Sequence, residues 1–289
     1  MLSSLTVPRV LLCATLALLG PPFFHLDHAC AQTTFKADYI ISFARITVGH
    51  AAVRADIGGN AYAISASGRA GGAMRLLVEG DANLISRGSV AGNRLSPSKF
   101  KLKVNSTNDP LDVNMTIEEG NVTDLAVLPP SGDWAPITDV DRKGISDPLS
   151  AVFVPVGDAG DGLNKETCQR TLPIFDGRQR YDLQLDFKRL DKVAVNNGYS
   201  GPAIVCSLSY RPIAGHRVSA PLVKYLSESR EIEIAFAPLA GTRLLAPFRL
   251  VVANLLANLV VQASRFEINL QTAPAPLNSS PMNSDQNPT

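Results

Sequence analysis

Histidine is scarce in this 289-residue chain: there are four, and His25 and His28 fall within the first thirty-one residues. Only His50 and His216 remain downstream, so a Ser-His-Asp triad would need one of those two as its base. Cysteine is equally sparse, with Cys13 and Cys30 near the start and Cys168 and Cys206 further on. A zinc centre draws on several His or Cys ligands, which argues against a conventional transition-metal site, and no cofactor is expected. Gly198-Tyr199-Ser200-Gly201 begins like a nucleophile elbow, but Pro202 stands where G-x-S-x-G requires glycine, and the stretch reads as a tight turn. There is no G-x-x-x-x-G-K-[ST] loop, and Gly68-Arg69-Ala70-Gly71-Gly72 is too short and badly spaced for a dinucleotide loop. Asp158-Ala159-Gly160-Asp161-Gly162 lacks the remaining ligands of an EF-hand and reads as a solvated turn. No catalytic residue is singled out, which favours a protein that is not an enzyme.

An excess of either charge is also missing. Lys and Arg number 27 against 26 Asp and Glu, for a net charge of +1. Such a balance gives no reason to expect nucleic acid or an anionic membrane as partner. Long apolar runs are absent too. The richest downstream stretch, Leu244 to Val261, is interrupted by Pro247, Arg249, Asn254 and Asn258, so no transmembrane span is expected. The apolar run Val10 to Leu19 is too short to cross about 30 Å of hydrocarbon at about 1.5 Å per residue.

What is present starts with an export signal over residues 1–31. Arg9 precedes the apolar run, Pro21 and Pro22 end it, and Ala29-Cys30-Ala31 supplies small residues for a peptidase. A lipoprotein anchored at Cys30 is the alternative, and Asp27 and His28 stand where small or apolar residues belong. Export after Ala31 leaves Cys168 and Cys206, 38 positions apart, as an even pair in an oxidising compartment, where a disulfide is the default. The tail 272–289 is Pro, Ser and Asn with almost nothing to bury, and is expected to be disordered. The stretch between, 32–271, is expected to be a single β-rich domain, with Pro129 to Pro148 the one candidate boundary inside it.

Most of that domain favours strands. TFKADYIISFARITV is rich in aromatic and β-branched residues, and Gly58-Gly59-Asn60 separates AAVRADI from AYAISAS as in a hairpin. PSKFKLKVN, LDVNMTI, VTDLAVL, RYDLQLDF, GPAIVCSLSY and EIEIAFA follow, several with clear alternation. Short alternating strands with frequent turns imply an all-β, mainly antiparallel fold, a curved meander rolled into a distorted or partly open barrel with one or two short helices. One helix should start at Ser146-Asp147-Pro148 and last two or three turns before Pro155. GGAMRLLVEG fits a helical turn or a strand. LVVANLLANLVVQASRF fits either period, and its valines favour a hairpin turning at Asn254-Leu255-Leu256-Ala257.

Several landmarks occur together: Gly49 in ITVGHA, DPLSA at 147–151, LPIFDGRQRYDL ending at Leu183, YSGPAIVCSLSYRPIAGHR at 199–217 and EIEIAFAPL at 231–239. In that order they resemble an exported bacterial family known as domain of unknown function 3108, over about residues 37–268. The resemblance implies a Gram-negative cell-envelope (periplasmic) location and a β-rich meander, and it implies no activity. The chain departs from the family at the last hairpin, where relatives tend to turn on glycine.

Two polar clusters invite a functional question. Asp176, Arg178 and Arg180 crowd one turn, and His216 and Arg217 follow Ala214-Gly215. Arginine forks make good carboxylate donors, so Asp176, Arg178, Arg180, His216 and Arg217 form a candidate anion-binding patch; the competing account is a set of Arg–Asp pairs bracing a hairpin tip. Three function classes follow. One is a non-enzymatic envelope protein holding an apolar or amphiphilic ligand, or a protein partner. The second is a carboxylate-dependent hydrolase of glycan or peptide. The third is a structural or assembly factor working through an exposed apolar face. The first predicts a lined interior cavity, and a solidly packed interior with no groove would sink its ligand-carrying form; the second requires two acids about 5–10 Å apart in a cleft.

Overall fold

Alternation of buried and exposed residues sets the architecture strand by strand. In β1 (Gln32–Phe43), Thr33, Phe35, Ala37 and Tyr39 are buried and their neighbours face outward, the period-2 pattern of a sheet with one packed face. The computed structural model describes residues 32–271 apart from 73–79, 108, 131–134, 157–162, 197, 218–220, 229–230 and 254–256. The expected leader and tail, most of GGAMRLLVEG, the Asp158–Gly162 stretch and most of the Asn254–Ala257 turn lie outside the described residues.

β1 is followed by β2 (Ile46–Gly58), β3 (Ala61–Ala70), β4 (Gly80–Ala91), β5 (Arg94–Ser106), β6 (Leu111–Glu118) and β7 (Asn121–Leu128). Then come α1 (Pro148–Ala151), β8 (Val154–Pro155), β9 (Arg170–Phe175), β10 (Arg180–Ala194) and β11 (Ser200–Ala214). The chain ends with α2 (Pro221–Glu228), β12 (Ile232–Leu239), β13 (Leu244–Val252) and β14 (Leu259–Gln271). The sheet runs β7-β6-β5-β4-β3-β2-β1-β14-β13-β12-β11-β10-β9, with β8 paired to β13 off that path. Every strand ladder is antiparallel, and the sheet is not closed, because β7 and β9 end it without pairing to each other. Bulges at Asp38/Tyr39, Arg87/Gly88, Thr116/Ile117 and Ala235/Phe236 interrupt the register and curve the sheet.

Two expectations need adjustment. The run TFKADYIISFARITV breaks at Ala44-Arg45 into β1 and β2, with both turn residues at positive φ (51° and 68°). Nothing signals the turn beforehand, because neither residue is the Gly or Asn such a turn prefers. The helix at Pro148 is a single turn of four residues rather than two or three, since Val152 already caps it. The last hairpin, β13–β14, forms as expected.

The interior of the curved sheet is filled. Phe35, Phe100, Phe153, Phe175, Phe248 and Phe266 are each at most 3 % exposed; the Phe35–Phe266 rings meet edge-on at 4.8 Å and the Phe248–Phe266 rings pack tilted at 5.4 Å. A ligand cavity inside the barrel is therefore not what the fold builds. A second apolar cluster lies on the outer face of β10–β13, where Ile204, Cys206, Ile234, Phe236 and Leu245 are buried under Leu163, Cys168, Tyr225 and Leu226. The β11 stretch Ala203–Cys206 is accordingly buried on both faces, at 0–2 % exposure.

The Cys168–Cys206 disulfide fastens that outer layer. The sulfurs are 2.02 Å apart, with the Cα atoms at 5.6 Å, and both residues are fully buried. A 3-10 turn at Lys165–Thr167, capped by Asn164 accepting from Thr167 N, leads directly into Cys168. Cross-linking residues 38 apart stabilises by about 4 kcal/mol on the chain-entropy model. The double variant C168S/C206S should lose about that much unfolding free energy in a urea titration, and the wild type should match it once reduced.

Candidate functional site

Asp147 is the one fully buried acid among the described residues. It caps α1: its Oδ1 accepts from Leu149 N at 2.9 Å and Ser150 N at 3.0 Å. Its Oδ2 accepts from Ser150 Oγ at 2.6 Å and from Ser86 Oγ of β4 at 2.7 Å. Ser86, itself fully buried, is also 3.0 Å from the Tyr62 hydroxyl of β3. Burial pushes the Asp147 carboxyl above its ordinary value, against hydrogen bonds from Ser150, Ser86 and Leu149. Burial, and then the charge of Asp147, raise the Tyr62 phenol likewise.

The segment around Asp147 straps the two ends of the sheet together. Ile145 N donates to Gly120 O in the β6–β7 turn at 2.8 Å. Ser146 N donates to Pro173 O, and Phe175 N to Ser146 O, so the strap pairs with β9. Gly177, at φ 97°, has no room for a Cβ, which would sit 2.4 Å from a Val113 methyl of β6.

Beside the strap lies an open cleft of about 510 Å³. Its walls are the start of β5 (Arg94–Pro97), the β6–β7 turn (Glu119, Gly120), the strap and β8 (Gly144–Pro155) and the start of β9 (Gln169–Pro173). Leu95, Ile145, Phe153, Pro155, Leu172 and Pro173 are among its lining, and about half of its surface is apolar. Arg94 and Arg170, each the first residue of its strand, stand in the same cleft. Asn93 Nδ2 donates to Val156 O at 2.8 Å and pins the turn before Arg94. Arg170 N donates to Cys168 O at 2.9 Å, next to the disulfide.

The residues flagged from sequence are brought together, because Arg180 pairs with Ala214 across β10–β11. Asp176 Oδ1 accepts from Arg178 N and Gln179 N at 2.8 and 2.6 Å, forming the hairpin turn. Burial raises its carboxyl above the usual value, opposed by those two backbone donors. Arg178 is buried, donates to Pro129 O at 3.0 Å and lies 3.8 Å from Asp109. Arg180 donates to Tyr181 O and to Asp182 Oδ1, both at 2.7 Å. His216 is half-buried and its carbonyl accepts from Ala135 N, while Arg217 is exposed. Arg178 and Arg180 thus carry structural bonds, and neither Arg178, Arg180 nor Asp176 lines the cleft.

Neither Asp147 nor the one pair of acids that shares a described cleft has hydrolase geometry. Asp147 has both oxygens engaged and no exposure. Asp38 and Asp81 share another cleft, but they sit on β1 and β4, three strand spacings or roughly 14 Å apart along the sheet. Among the described residues, no group of three or more His, Cys, Asp and Glu could hold a metal ion. No helix among them is long and apolar enough to cross a membrane. Sequence reasoning missed Arg94 and Arg170, since β4 and the turn before β5 carry no strong alternation and Arg170 looks like a neighbour of Cys168 only.

The molecule is, in class, a barrel-like antiparallel meander with a strapped seam and an open cleft beside it. Residues 38–253 match the family described as Protein of unknown function (DUF3108), and the chain belongs to that family. Among solved structures, the crystal structure of a β-barrel-like protein of domain of unknown function DUF1849 from Brucella abortus is similar, at 10% identity and a TM-score of 0.48. The match covers 82% of this chain and 98% of that one. No curated protein matches.

Because Asp147 has a raised folded value, its protonated form supports the fold below the unfolded value of about 3.9, and that contribution is lost as pH rises through the folded value. D147N keeps an acceptor for the α1 amides and has no charge to bury. Its stability relative to wild type should therefore rise from about pH 4 upward, as read by denaturant melts across pH. D147A removes the cap and orphans the Ser86 and Ser150 hydroxyls, and should lose about 2–4 kcal/mol below about pH 4, a loss that narrows as pH rises. A flat wild-type-minus-D147N difference would contradict the raised carboxyl.

Proposed function

We propose that this protein is a non-catalytic, exported cell-envelope protein that holds an amphiphilic molecule in the cleft between the strap, β5 and β9. The observation that carries the proposal is the cleft itself: about 510 Å³, apolar along Leu95, Phe153 and Leu172, and open to solvent. That volume lies in the range of about 300–1,000 Å³ typical of small-molecule sites. The filled barrel interior favours a ligand at this rim over one in the lumen. Export is supported by the leader pattern over residues 1–31 and by the buried disulfide, a bond favoured in oxidising compartments.

The neutral fluorophore N-phenyl-1-naphthylamine should brighten on adding the wild-type protein. Leu172→Arg and Leu95→Arg place a charge on the apolar wall and should weaken that binding about tenfold or more, equivalent to about 1.4 kcal/mol. Binding unaffected by either substitution would move the site elsewhere, and no binding at all would remove the amphiphile from the proposal. For export, protein recovered from the periplasm of its host should begin at Gln32 by N-terminal sequencing; a lipid-bearing Cys30 at the N-terminus would instead show an anchored form.

A further inference from the structure

We infer that Arg94 and Arg170 form an oxyanion site, so that the ligand of this cleft is an amphiphile with an anionic phosphate- or carboxylate-type headgroup. The inference rests on the cleft being the ligand site. Four observations lead to it.

The two arginines line one cleft, and they are close enough for the charge of Arg94 to act on Arg170. Among the described residues neither has an ion-pair partner, whereas Arg178, Arg180, Arg189 and Arg265 each have an acid within 4 Å. Arg170 is half-buried, and its Nε is buried with no hydrogen-bond partner. Burial first, and the charge of Arg94 second, push its guanidinium below the ordinary arginine value. A guanidinium does not escape that penalty by losing its proton, because arginine stays protonated in proteins. Two like charges held together while one is desolvated are stabilised most directly by an anion between them.

The backbone under both arginines is also tied down. The Asn93 side chain bonds Val156 O ahead of Arg94, and the Cys168–Cys206 disulfide lies two residues before Arg170. Binding an anion here needs only side-chain adjustment, which lowers the ordering cost of association. Planar guanidinium forks match oxyanions in a bidentate way. The apolar wall at Leu95 and Leu172 lies in the same cleft, where it can take the tail of a molecule whose head meets the arginines. Glu119 is the one acid lining the cleft; it opposes an anion and sets an upper bound on its affinity.

The test uses dodecyl phosphate, neutral dodecyl maltoside and inorganic phosphate, each below micelle formation, titrated calorimetrically into the intact mature protein. Wild type should bind dodecyl phosphate about tenfold or more tighter than dodecyl maltoside. Arg94→Gln and Arg170→Gln should each remove about tenfold of dodecyl phosphate affinity and leave dodecyl maltoside unchanged. Arg94→Lys and Arg170→Lys should restore part of it, and Glu119→Gln should strengthen it. Raising salt on the unmodified protein from about 0.02 M to about 0.5 M should weaken dodecyl phosphate alone, a readout independent of whether any variant folds. Equal binding of both detergents, with silent arginine variants, overturns the oxyanion site and leaves the amphiphile cleft standing. Inorganic phosphate binding as tightly as dodecyl phosphate, with no maltoside binding, keeps the oxyanion site and overturns the amphiphile. Binding of none of the three overturns both.

Discussion

A single buried carboxylate keeps the two ends of the sheet together. An open meander of this length has no ladder joining β7 to β9, so something else must hold the curl. Asp147 does so from inside, accepting hydroxyls from Ser150 on its own segment and from Ser86 on β4. With Asp147 anchored, Ile145 reaches the β6–β7 turn and Ser146 reaches β9. An isolated charge in this position would cost several kcal/mol; four donors offset part of that cost, and burial still holds the carboxyl above its ordinary value.

Legibility from sequence divided along physical lines. Strands with one wet face announced themselves, as in LDVNMTI, where buried Val113, Met115 and Ile117 alternate with less buried neighbours, because burial on alternate residues writes itself into composition. β11 to β13 and the final hairpin were harder, since strands buried on both faces lose alternation, and LVVANLLANLVV fits a helix equally well. The Ala44-Arg45 turn was invisible, because its positive φ values are imposed by pairing of β1 with β2 and not by the residues themselves. The cysteine pair was legible by arithmetic and compartment alone. Asp147 was visible as the start of a helix, yet its larger task depends on Ser86, sixty-one positions away, and no local pattern encodes that contact.

The candidate site shows the same division more sharply. Dense charge at 176–182 drew attention, and the fold uses it to shape a hairpin: Asp176 closes the turn, Arg180 pairs with Asp182, and Arg178 reaches Pro129 O. Arg94 and Arg170 are seventy-six positions apart in sequence, each unremarkable where it stands, and they share a cleft only because β5 and β9 begin at the same rim. Charges with partners nearby in sequence tend to be architectural. The informative ones are those the fold brings close without supplying a counter-charge.

The pairing of β1 with β14 carries a consequence for assembly. Every other ladder on the main path of the sheet joins strands consecutive in number, or nearly so in sequence, while this one aligns Gln32 with Gln271 across the whole described chain. A chain that emerges N-terminus first delivers β1 before β14, so β1 waits for its partner with one row of amides and carbonyls exposed. Open edges of that kind recruit other strands. Thr33, Phe35, Ala37 and Tyr39 stand on that same strand, which makes the first strand the point most vulnerable to misassociation until the last one arrives.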